Sequence, residues 1–205
     1  MIADNISVKP LPRSLYSRPT LEVARGLLGQ LLIRTTPRAT IVARIVETEA
    51  YIGEDDPACH AAPGRTARNA VMYGPPGHAY VYFIYGMHHC LNIVTERAGF
   101  PAAVLIRAAE PLEGLEWMRR RRRGTRRAEQ LASGPGKLAQ AFGLTRAHNG
   151  LDLTRGELRV VWGETPGERI ATGPRIGIRR ATDRRWRFYL AGNRHVSRSG
   201  IVRLT

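Results

Sequence analysis

The chain of 205 residues carries a formal net charge of +15, from 32 basic and 17 acidic side chains, and 43% of its residues are hydrophobic. That length and hydrophobic content allow one substantial core and predict a single domain over residues 1–205. The sequence holds no apolar run of eighteen residues and no signal-peptide pattern at its start, and Cys59 and Cys90 are too few for a disulfide framework. These features argue against membrane-spanning and secreted proteins and predict a cytoplasmic one.

The positive charge predicts a polyanionic partner, because its field attracts phosphates and makes their binding depend on salt. Nucleic acid is the first candidate, and a membrane surface or the ribosome are the alternatives. Only Lys9 and Lys137 among the basic residues are lysines. The planar guanidinium of arginine suits phosphate oxygens and base edges, although a genome rich in G and C would produce the same bias without functional meaning.

The first part of the chain predicts a short helix, a long buried strand and an irregular segment. Helical spacing of leucines indicates a helix over residues 19–28. Alternating apolar residues from Ile41 onwards indicate a strand that runs into Glu49. Residues 53–77 contain eight glycines and prolines, which exclude a single regular element. A loop of this length in a compact domain is usually functional or mobile.

The segment from Tyr80 to Asn92 is rich in aromatic residues and predicts a surface that recognises a flat ligand. Tyr80 and Tyr82 share one face of a strand and are expected to be free to stack. Tyr85 precedes Gly86, which favours a tight turn, so its ring is a candidate wedge between stacked bases. The alternative is that these aromatic residues are present only because they favour strands.

The next segments predict a strand that ends near Arg107 and a helix that opens at Pro111 and runs into five arginines at 119–123. That basic helix end is either a solvated surface or an element that contacts phosphates. A glycine-rich turn at 133–137 then leads into another helix, whose free N–H groups and Lys137 offer an anion site. In the C-terminal third, short strands are predicted at 157–163, 175–179 and 185–190.

Glu49 is the acid best suited to act on a substrate, because it lies near Tyr51 and just before the long loop that carries His60. A carboxylate in that position is able to deprotonate a water next to a stacked ligand. Glu47 shares its face in a regular strand, and two carboxylates so close raise one another's pKa. The residues alone leave open which one acts, and a salt bridge to arginine is the alternative role for either.

Other chemistries fit the sequence less well. Adjacent strand residues point in opposite directions, so His88, His89 and Cys90 do not readily ligate one ion, and we expect no metal and no cofactor. No motif marks a serine or cysteine as a nucleophile. Schiff-base chemistry needs an amine, which only Lys9, Lys137 and the N-terminus offer, so water is the favoured nucleophile.

Five segments between Leu15 and Ser197 occur in the order of one enzyme family: V-E-T-E-A-Y-I-G, Y-V-Y-F-I-Y-G-M-x-x-C-x-N (x, any residue), L-I-R-A-A-E-P-L-E-G, S-G-P-G-K-L and R-F-Y-L-A-G. The chain resembles the alkyladenine (3-methyladenine) DNA glycosylases of the mammalian-type fold, base-excision enzymes found also in many bacteria. This resemblance implies an α+β fold, a single mixed domain with a curved, mainly antiparallel sheet surrounded by helices. It also implies an association with the nucleoid.

The resemblance implies roles for a catalytic pair and a base pocket. Glu49 matches the general base that activates water, and Arg107 matches the arginine that helps to hold that water and a nearby phosphate. The remaining pocket positions are those that stack on the damaged base, hydrogen-bond to it, disfavour guanine or line the water site with backbone: they are Tyr51, His60, Tyr82, Asn92 and Ile178.

The resemblance also implies contacts with DNA. Tyr85 matches the residue that enters the minor groove and fills the gap left by the extruded nucleotide. Met87, Gly136 and Lys137 match positions that contact DNA. His88 departs from the aromatic residue expected at its position, which leaves the local groove contacts open but not the chemistry.

The sequence therefore predicts a monofunctional and monomeric DNA glycosylase that flips a damaged purine out of double-stranded DNA and hydrolyses its N-glycosidic bond. Alkylated purines carry positive charge and leave readily, whereas neutral hypoxanthine must first be protonated. One rival hypothesis is a basic nucleic-acid-binding protein without enzymatic activity. Another is an abasic-site lyase that acts through Lys137.

Overall fold

Eight antiparallel strands form one curled sheet in residues 9–84 and 86–197, which are the residues that the computed structural model describes. The strands are β1 Leu31–Thr36, β2 Ala39–Ile52, β3 Ala79–Ile84, β4 His88–Val94, β5 Ala102–Glu113, β6 Leu158–Val161, β7 Ile170–Gly173 and β8 Arg187–Leu190. The helices are α1 Arg13–Tyr16, α2 Thr20–Gly26, α3 Leu115–Arg121 and α4 Pro135–Phe142. This single domain confirms the predicted α+β fold.

The long strand β2 is the centre of the sheet, whose main path runs β3-β4-β5-β2-β1-β6. One edge of β2 pairs with β5 along residues 42–52. Its other edge pairs with β1 over residues 39–44 and then with β8 over residues 47–49. Glu47 and Glu49 therefore lie where three strands meet, with a strand on each side.

Two β-bulges interrupt the pairing of β2 with β5 at this point. Ile45 pairs with Ala109 and Glu47 pairs with Ala108, so Val46 is an extra residue on β2. Glu47 and Thr48 then pair with Ala108 and Ile106, so Arg107 is an extra residue on β5. A bulge bends the strand and re-aims side chains, and bulges are common next to active sites.

The apolar residues form two main clusters. The larger one joins helices α2 and α4 to the sheet and includes Leu27, Ile45 and Phe142. The smaller one lies between the irregular segment 53–77 and strands β3 to β5, and contains Met72 and Tyr80. The irregular segment is therefore packed on a hydrophobic base of its own, and it includes one turn of 3-10 helix.

Two sequence predictions in the second half of the chain are wrong. The helix predicted from Pro111 begins at Leu115, because β5 continues to Glu113, which pairs with Val42 of β2. The break comes at Gly114, whose φ is 73° and where a Cβ would lie 2.6 Å from the carbonyl oxygen of Thr40. The strand predicted at 175–179 is irregular chain.

The strand predicted to end near Arg107 is β5, which continues to Glu113, and the other predicted elements agree with the structure. Helix α2 lies within the predicted 19–28, and α4 follows the glycine-rich turn at 133–137. Strands β6 and β8 fall within two of the predicted C-terminal segments, whereas β7 lies outside all three. No helix in the described part of the chain is long and apolar enough to cross a membrane.

Candidate active site

A cleft of about 540 Å³ opens between the aromatic end of the sheet, the start of α4 and residues 176–180. Tyr51, His60 and Tyr82 line one side of it, and Arg107 is part of its lining as well. Sites that take small ligands usually measure about 300–1,000 Å³. The cleft therefore brings the predicted pocket residues together in a space of suitable size.

Glu49 is completely buried directly beneath this cleft. Its Oε1 accepts a hydrogen bond of 2.7 Å from the backbone N–H of Ile176, and its Oε2 accepts one of 2.9 Å from the hydroxyl of Tyr51. Nη1 of Arg107 lies 3.3 Å from Oε2. All three partners line the cleft, so the carboxylate is held at its floor.

Burial raises the pKa of the Glu49 carboxyl, and the charge of Arg107 and the two hydrogen bonds only partly oppose this effect. The neighbouring carboxylate of Glu47 raises the pKa further, as the sequence predicted. A raised pKa makes the ionised form of Glu49 a better proton acceptor near neutral pH. Burial and the charge of Glu49 also raise the pKa of Tyr51, which keeps its hydroxyl protonated as a donor.

Glu47 is also completely buried, but its surroundings differ from those of Glu49. It accepts hydrogen bonds from Nε of Arg107 at 3.1 Å and Nε of Arg187 at 2.6 Å, and from the backbone N–H and hydroxyl of Ser197 at 2.7 and 2.9 Å. A carboxylate has about four acceptor sites. The donors of Glu47 match that number, whereas Glu49 accepts two hydrogen bonds among the described residues and keeps capacity for a water.

The aromatic side of the cleft is a connected cluster. The rings of His60 and Tyr82 meet edge to face with 4.3 Å between their centroids, and Nδ1 of His60 lies 3.0 Å from the hydroxyl of Tyr80. Tyr80 is 1% exposed, so the prediction that it is free to stack on a ligand is wrong. Its hydroxyl instead contacts His60 from the protein interior. Tyr82 is only partly buried.

Burial and the positive charge of Arg68 determine the protonation of His60 and Tyr80. Burial, assisted by the charge of Arg68, lowers the pKa of His60. Burial raises the pKa of Tyr80 to about 12. We therefore expect a neutral imidazole and a protonated phenol at neutral pH. Such a pair makes one hydrogen bond in which the donor depends on the tautomer of His60.

Asn92 lies in the lining of the cleft and is 4% exposed. Its Nδ2 donates a hydrogen bond of 3.1 Å to the backbone carbonyl of Tyr80. Strand β4 presents it beside this partner because Asn92 and Tyr80 pair in register. Its position at the cleft agrees with a role in reading a base.

Residues 176–178 follow β7 and form the other side of the cleft. Ile178 lines the cleft, as the resemblance suggested. However, the backbone contact with Glu49 comes from Ile176, two residues earlier. The segment is irregular chain, in which the N–H of Ile176 donates to Glu49. Directly before it, the guanidinium of Arg175 donates to Asp56.

The pair of Asp56 and Arg175 is a part of the site that sequence reasoning missed. Both side chains are fully buried and joined by two hydrogen bonds of 2.5 and 2.8 Å. The guanidinium lies over the rings of Tyr51 at 4.7 Å and Trp186 at 5.1 Å. Burial alone raises the pKa of Asp56, but Arg175 outweighs it and holds the pKa below its ordinary value. The pair fixes Tyr51 from the protein interior.

The predicted DNA contacts lie around the mouth of the cleft. Met87 is 69% exposed in the β3–β4 connection, and Lys137 is exposed in the first turn of α4. Gly136 lines the cleft, and a Cβ at this position would lie 2.9 Å from Cγ of His88. Glycine therefore allows α4 to approach β4. Tyr85, the predicted wedge, lies outside the described residues.

The arginine run on α3 has a role that neither sequence interpretation included. Arg121 donates to the carbonyl of Ala141, and Arg122 donates to the side chain of Gln140. Both acceptors belong to the last turn of α4, where the helix dipole favours positive charge. At least two of the five arginines therefore bind the C-terminal end of α4 and stabilise it.

Within residues 9–84 and 86–197, no group of three or more His, Cys, Asp and Glu side chains is arranged to hold a metal ion. Cys59 and Cys90 are buried free thiols, and burial raises the pKa of each to about 11. Neither thiol is therefore poised as a nucleophile.

Comparison with known proteins agrees with this site. The sequence model of the methylpurine-DNA glycosylase family matches residues 14–194. A protein of Methanocella arvoryzae is 58% identical over 183 residues, which cover 87% of this chain and 91% of the relative. Proteins of Chlorobaculum tepidum and Myxococcus xanthus are 49% and 50% identical over 197 and 192 residues, covering 94% and 92% of this chain and 92% and 93% of the relatives.

These three relatives carry the name "Putative 3-methyladenine DNA glycosylase". The family match spans most of the chain and includes the residues that form the cleft. The chain therefore belongs to the methylpurine-DNA glycosylase family and is a DNA glycosylase, an enzyme of base excision repair.

Proposed function

We propose that this enzyme removes alkylated purines, 3-methyladenine among them, from double-stranded DNA by hydrolysing the N-glycosidic bond with a water that Glu49 activates. The observation that carries the proposal is the fully buried Glu49 carboxylate, held by three groups that line an aromatic cleft. We also propose that it acts as a monomer.

The substrate nucleotide must leave the duplex before it reaches this cleft, at a cost of a few kcal/mol. The net charge of +15 offsets part of that cost by attracting the DNA backbone. Stacking on Tyr51 and Tyr82 stabilises the flipped base. In this proposal Tyr85 fills the gap in the helix, and Met87, Gly136 and Lys137 contact the surrounding DNA.

The chemical step breaks the bond between C1′ of the sugar and the purine nitrogen, and the bonding electrons leave with the purine. The sugar becomes oxocarbenium-like, and water attacks C1′ while Glu49 accepts its proton. The products are the free base and an abasic sugar with a hydroxyl on C1′. Arg107 holds the water against Glu49 and balances the local negative charge.

The lining of the cleft favours cationic lesions over neutral ones. An alkylated purine that already carries positive charge leaves as a neutral base, whereas hypoxanthine needs a proton from the enzyme or from solvent. A group that protonates the base must carry a proton near neutral pH and release it readily. The described groups that face the base do not meet both requirements. The pKa of His60 is lowered by burial, and burial raises the pKa values of Tyr51 and Cys90. We therefore propose that 3-methyladenine is excised faster than hypoxanthine.

The proposal is tested by single-turnover excision with a panel of duplexes, each containing one modified purine, and with methylated DNA whose released bases are separated by chromatography. Glu49→Gln is expected to lower excision of every lesion to background while binding of the same duplexes persists. Glu22→Gln is the matched control, because Glu22 forms an exposed pair with Arg18 at one helical turn. Its excision rate should equal that of the wild type.

Unchanged excision by Glu49→Gln would disprove the role of the carboxylate. Faster release of hypoxanthine than of 3-methyladenine would disprove the proposed lesion preference. Borohydride should trap no covalent adduct, since a lyase acting through Lys137 would form one. Family membership already excludes the rival hypothesis of a basic binder without enzymatic activity.

A further inference from the structure

We propose that Glu47 and Ser197 are positioning residues, which hold the guanidinium of Arg107 so that its Nη1 faces Glu49 at the floor of the cleft. This inference rests on the proposed function of Glu49 as the base. The two glutamates then have separate tasks, although they are two residues apart on one strand.

The contacts of Arg107 carry the proposal. Its Nε donates to Oε1 of Glu47 at 3.1 Å, its Nη2 donates to the hydroxyl of Ser197 at 3.4 Å, and its Nη1 lies 3.3 Å from Oε2 of Glu49. Each nitrogen of the guanidinium thus has a different partner. A planar group held at three points has one orientation, and Arg107 is only 6% exposed.

Glu47 is itself fixed from both sides. Arg187 on β8 donates to Oε1 at 2.6 Å, and the backbone N–H of Ser197 donates to Oε2 at 2.7 Å. The hydroxyl of Ser197 donates to Oε1 at 2.9 Å and is also the acceptor for Arg107. The extra residue in β5 at Arg107 aims its side chain at this network.

A second consequence concerns the charge next to Glu49. If Glu47 were neutral, Arg107 would be free to turn both terminal nitrogens onto Glu49 and form the bidentate pair that arginine prefers with carboxylates. Such a pair would occupy the acceptor sites that the attacking water needs. It would also stabilise the ionised form of Glu49, and the loss of the Glu47 charge would act in the same direction.

The acidic limb of the pH profile is therefore a direct readout of this arrangement. The titratable and charged groups that face Glu49 from the elements around it are Glu47 and Tyr51 on β2, Cys90 on β4, Arg107 on β5, Arg175 after β7 and Arg187 on β8. Removing the negative charge of Glu47 lowers the pKa of Glu49. The limb on which excision falls as Glu49 is protonated then moves to lower pH.

The experiment measures single-turnover excision of 3-methyladenine from about pH 4.5 to about pH 9, an interval that begins near the ordinary pKa of a glutamate. Glu47→Gln should lower the plateau rate constant by about tenfold to a hundredfold, as misplacement of a reacting group does. Its acidic limb should move to lower pH. The DNA concentration at half-saturation should stay within about twofold, because Glu47 does not line the cleft.

Ser197→Ala is the milder variant, because it keeps the backbone N–H bond to Glu47. It removes only the hydroxyl contacts to Glu47 and Arg107. The plateau rate constant should fall about two- to tenfold, as expected for the loss of one hydrogen bond of 2.9 Å and one long contact of 3.4 Å, without a move of the acidic limb.

Two controls separate positioning from stability. Glu47→Gln combined with Arg187→Gln restores the charge balance of the buried network, so it should regain stability but keep the lower plateau. Its acidic limb should move back towards that of the wild type, because the loss of the Arg187 charge raises the pKa of Glu49. Glu110→Gln removes a carboxylate that pairs with Arg44 on the same two strands, and its side chain is 26% exposed and outside the cleft lining. Its pH profile should match that of the wild type.

The proposal is wrong if folded Glu47→Gln and Ser197→Ala excise with the wild-type plateau and acidic limb. It is also wrong if the double variant recovers the wild-type rate, since Glu47 would then only stabilise the fold. The proposed function fails separately, if the wild type releases no alkylated base or if Glu49→Gln remains active.

Discussion

Arginine and carboxylate side chains form pairs both at the floor of the cleft and on the outer surface, but the two kinds of pair differ in burial and in number of contacts. At the floor, each of Glu47, Arg107 and Asp56 is buried and contacts two or more groups that complement its charge. On the surface, Arg18 and Glu22 form a single exposed pair one helical turn apart. In this proposal the exposed basic side chains attract the DNA backbone, whereas the buried arginines hold the residues of the site in place.

The two kinds of pair differ in how much stability is lost when one partner is removed. An exposed pair is screened by solvent and usually contributes about 0–1 kcal/mol. Removing one member of a buried pair leaves a charge without compensation and commonly costs about 3–5 kcal/mol. Variants at the two places therefore test whether the buried pairs at the floor contribute more to the free energy of unfolding than the exposed pairs.

Asp56→Asn is expected to have the largest effect on stability among these variants. It leaves the fully buried Arg175 without its carboxylate and should lower the free energy of unfolding by about 3–5 kcal/mol in chemical denaturation. Excision should fall as well, because Arg175 lies against Tyr51. Glu22→Gln should change stability by no more than about 1 kcal/mol.

The effect of Asp56 depends on pH in a defined direction. Its pKa in the folded protein is below the ordinary value of 3.8. Its stabilisation is therefore fully present above about pH 3.8 and is lost as the pH falls through the lower folded value. The difference between the wild type and Asp56→Asn should shrink below that pH. A difference that stays constant from neutral to acidic pH would contradict the ionised pair.

Tyr80→Phe is expected to have an intermediate effect that reaches the base pocket. The hydroxyl of Tyr80 is buried, and its hydrogen needs an acceptor. We therefore expect this hydroxyl to donate to Nδ1 of His60. The imidazole then carries its hydrogen on Nε2 and is able to donate from there to a base. Removing the hydroxyl should cost about 0.5–1.5 kcal/mol of stability and lower the plateau excision rate about two- to tenfold.

Tyr73→Phe is the matched control for this variant. Its hydroxyl also donates one hydrogen bond, to Glu54 at 2.7 Å, but Tyr73 does not line the cleft. Its excision rate should be that of the wild type. Equal losses of activity in both variants would show that the hydroxyl of Tyr80 has no specific effect on His60.

Local sequence patterns predicted most of the fold because they report local physics. Alternating apolar residues identified β2, and the glycine-rich turn identified the start of α4. The prediction failed at Pro111, where a residue that often begins helices is held in β5 by pairing with a distant strand. It also failed at Tyr80, since alternation gives the face of a strand but not what covers that face.

The candidate site was predicted only in part, because some of its contacts join residues far apart in sequence. The pattern E-T-E placed Glu47 and Glu49 on one face, but the choice between them needs the donors from Ile176, Arg187 and Ser197. The resemblance supplied the pocket residues and chose Ile178 where Ile176 makes the contact. Nothing in the local sequence around Asp56 indicates that Arg175 is its partner, 119 residues away.

Lys137→Gln is expected to have the smallest effect and tests the surface side of the comparison. Lys137 is exposed beside Gly136 at the mouth of the cleft, so its charge acts on phosphates through solvent. Binding of an undamaged duplex should weaken a few-fold, and the slope of log affinity against log salt should decrease by about 1. Arg38→Gln is the control, because Arg38 is exposed in the β1–β2 turn, about 36 Å from Glu49 along β2. If both variants reduce the slope equally, the exposed charges act only through the net charge of the chain, and Lys137 has no phosphate contact of its own.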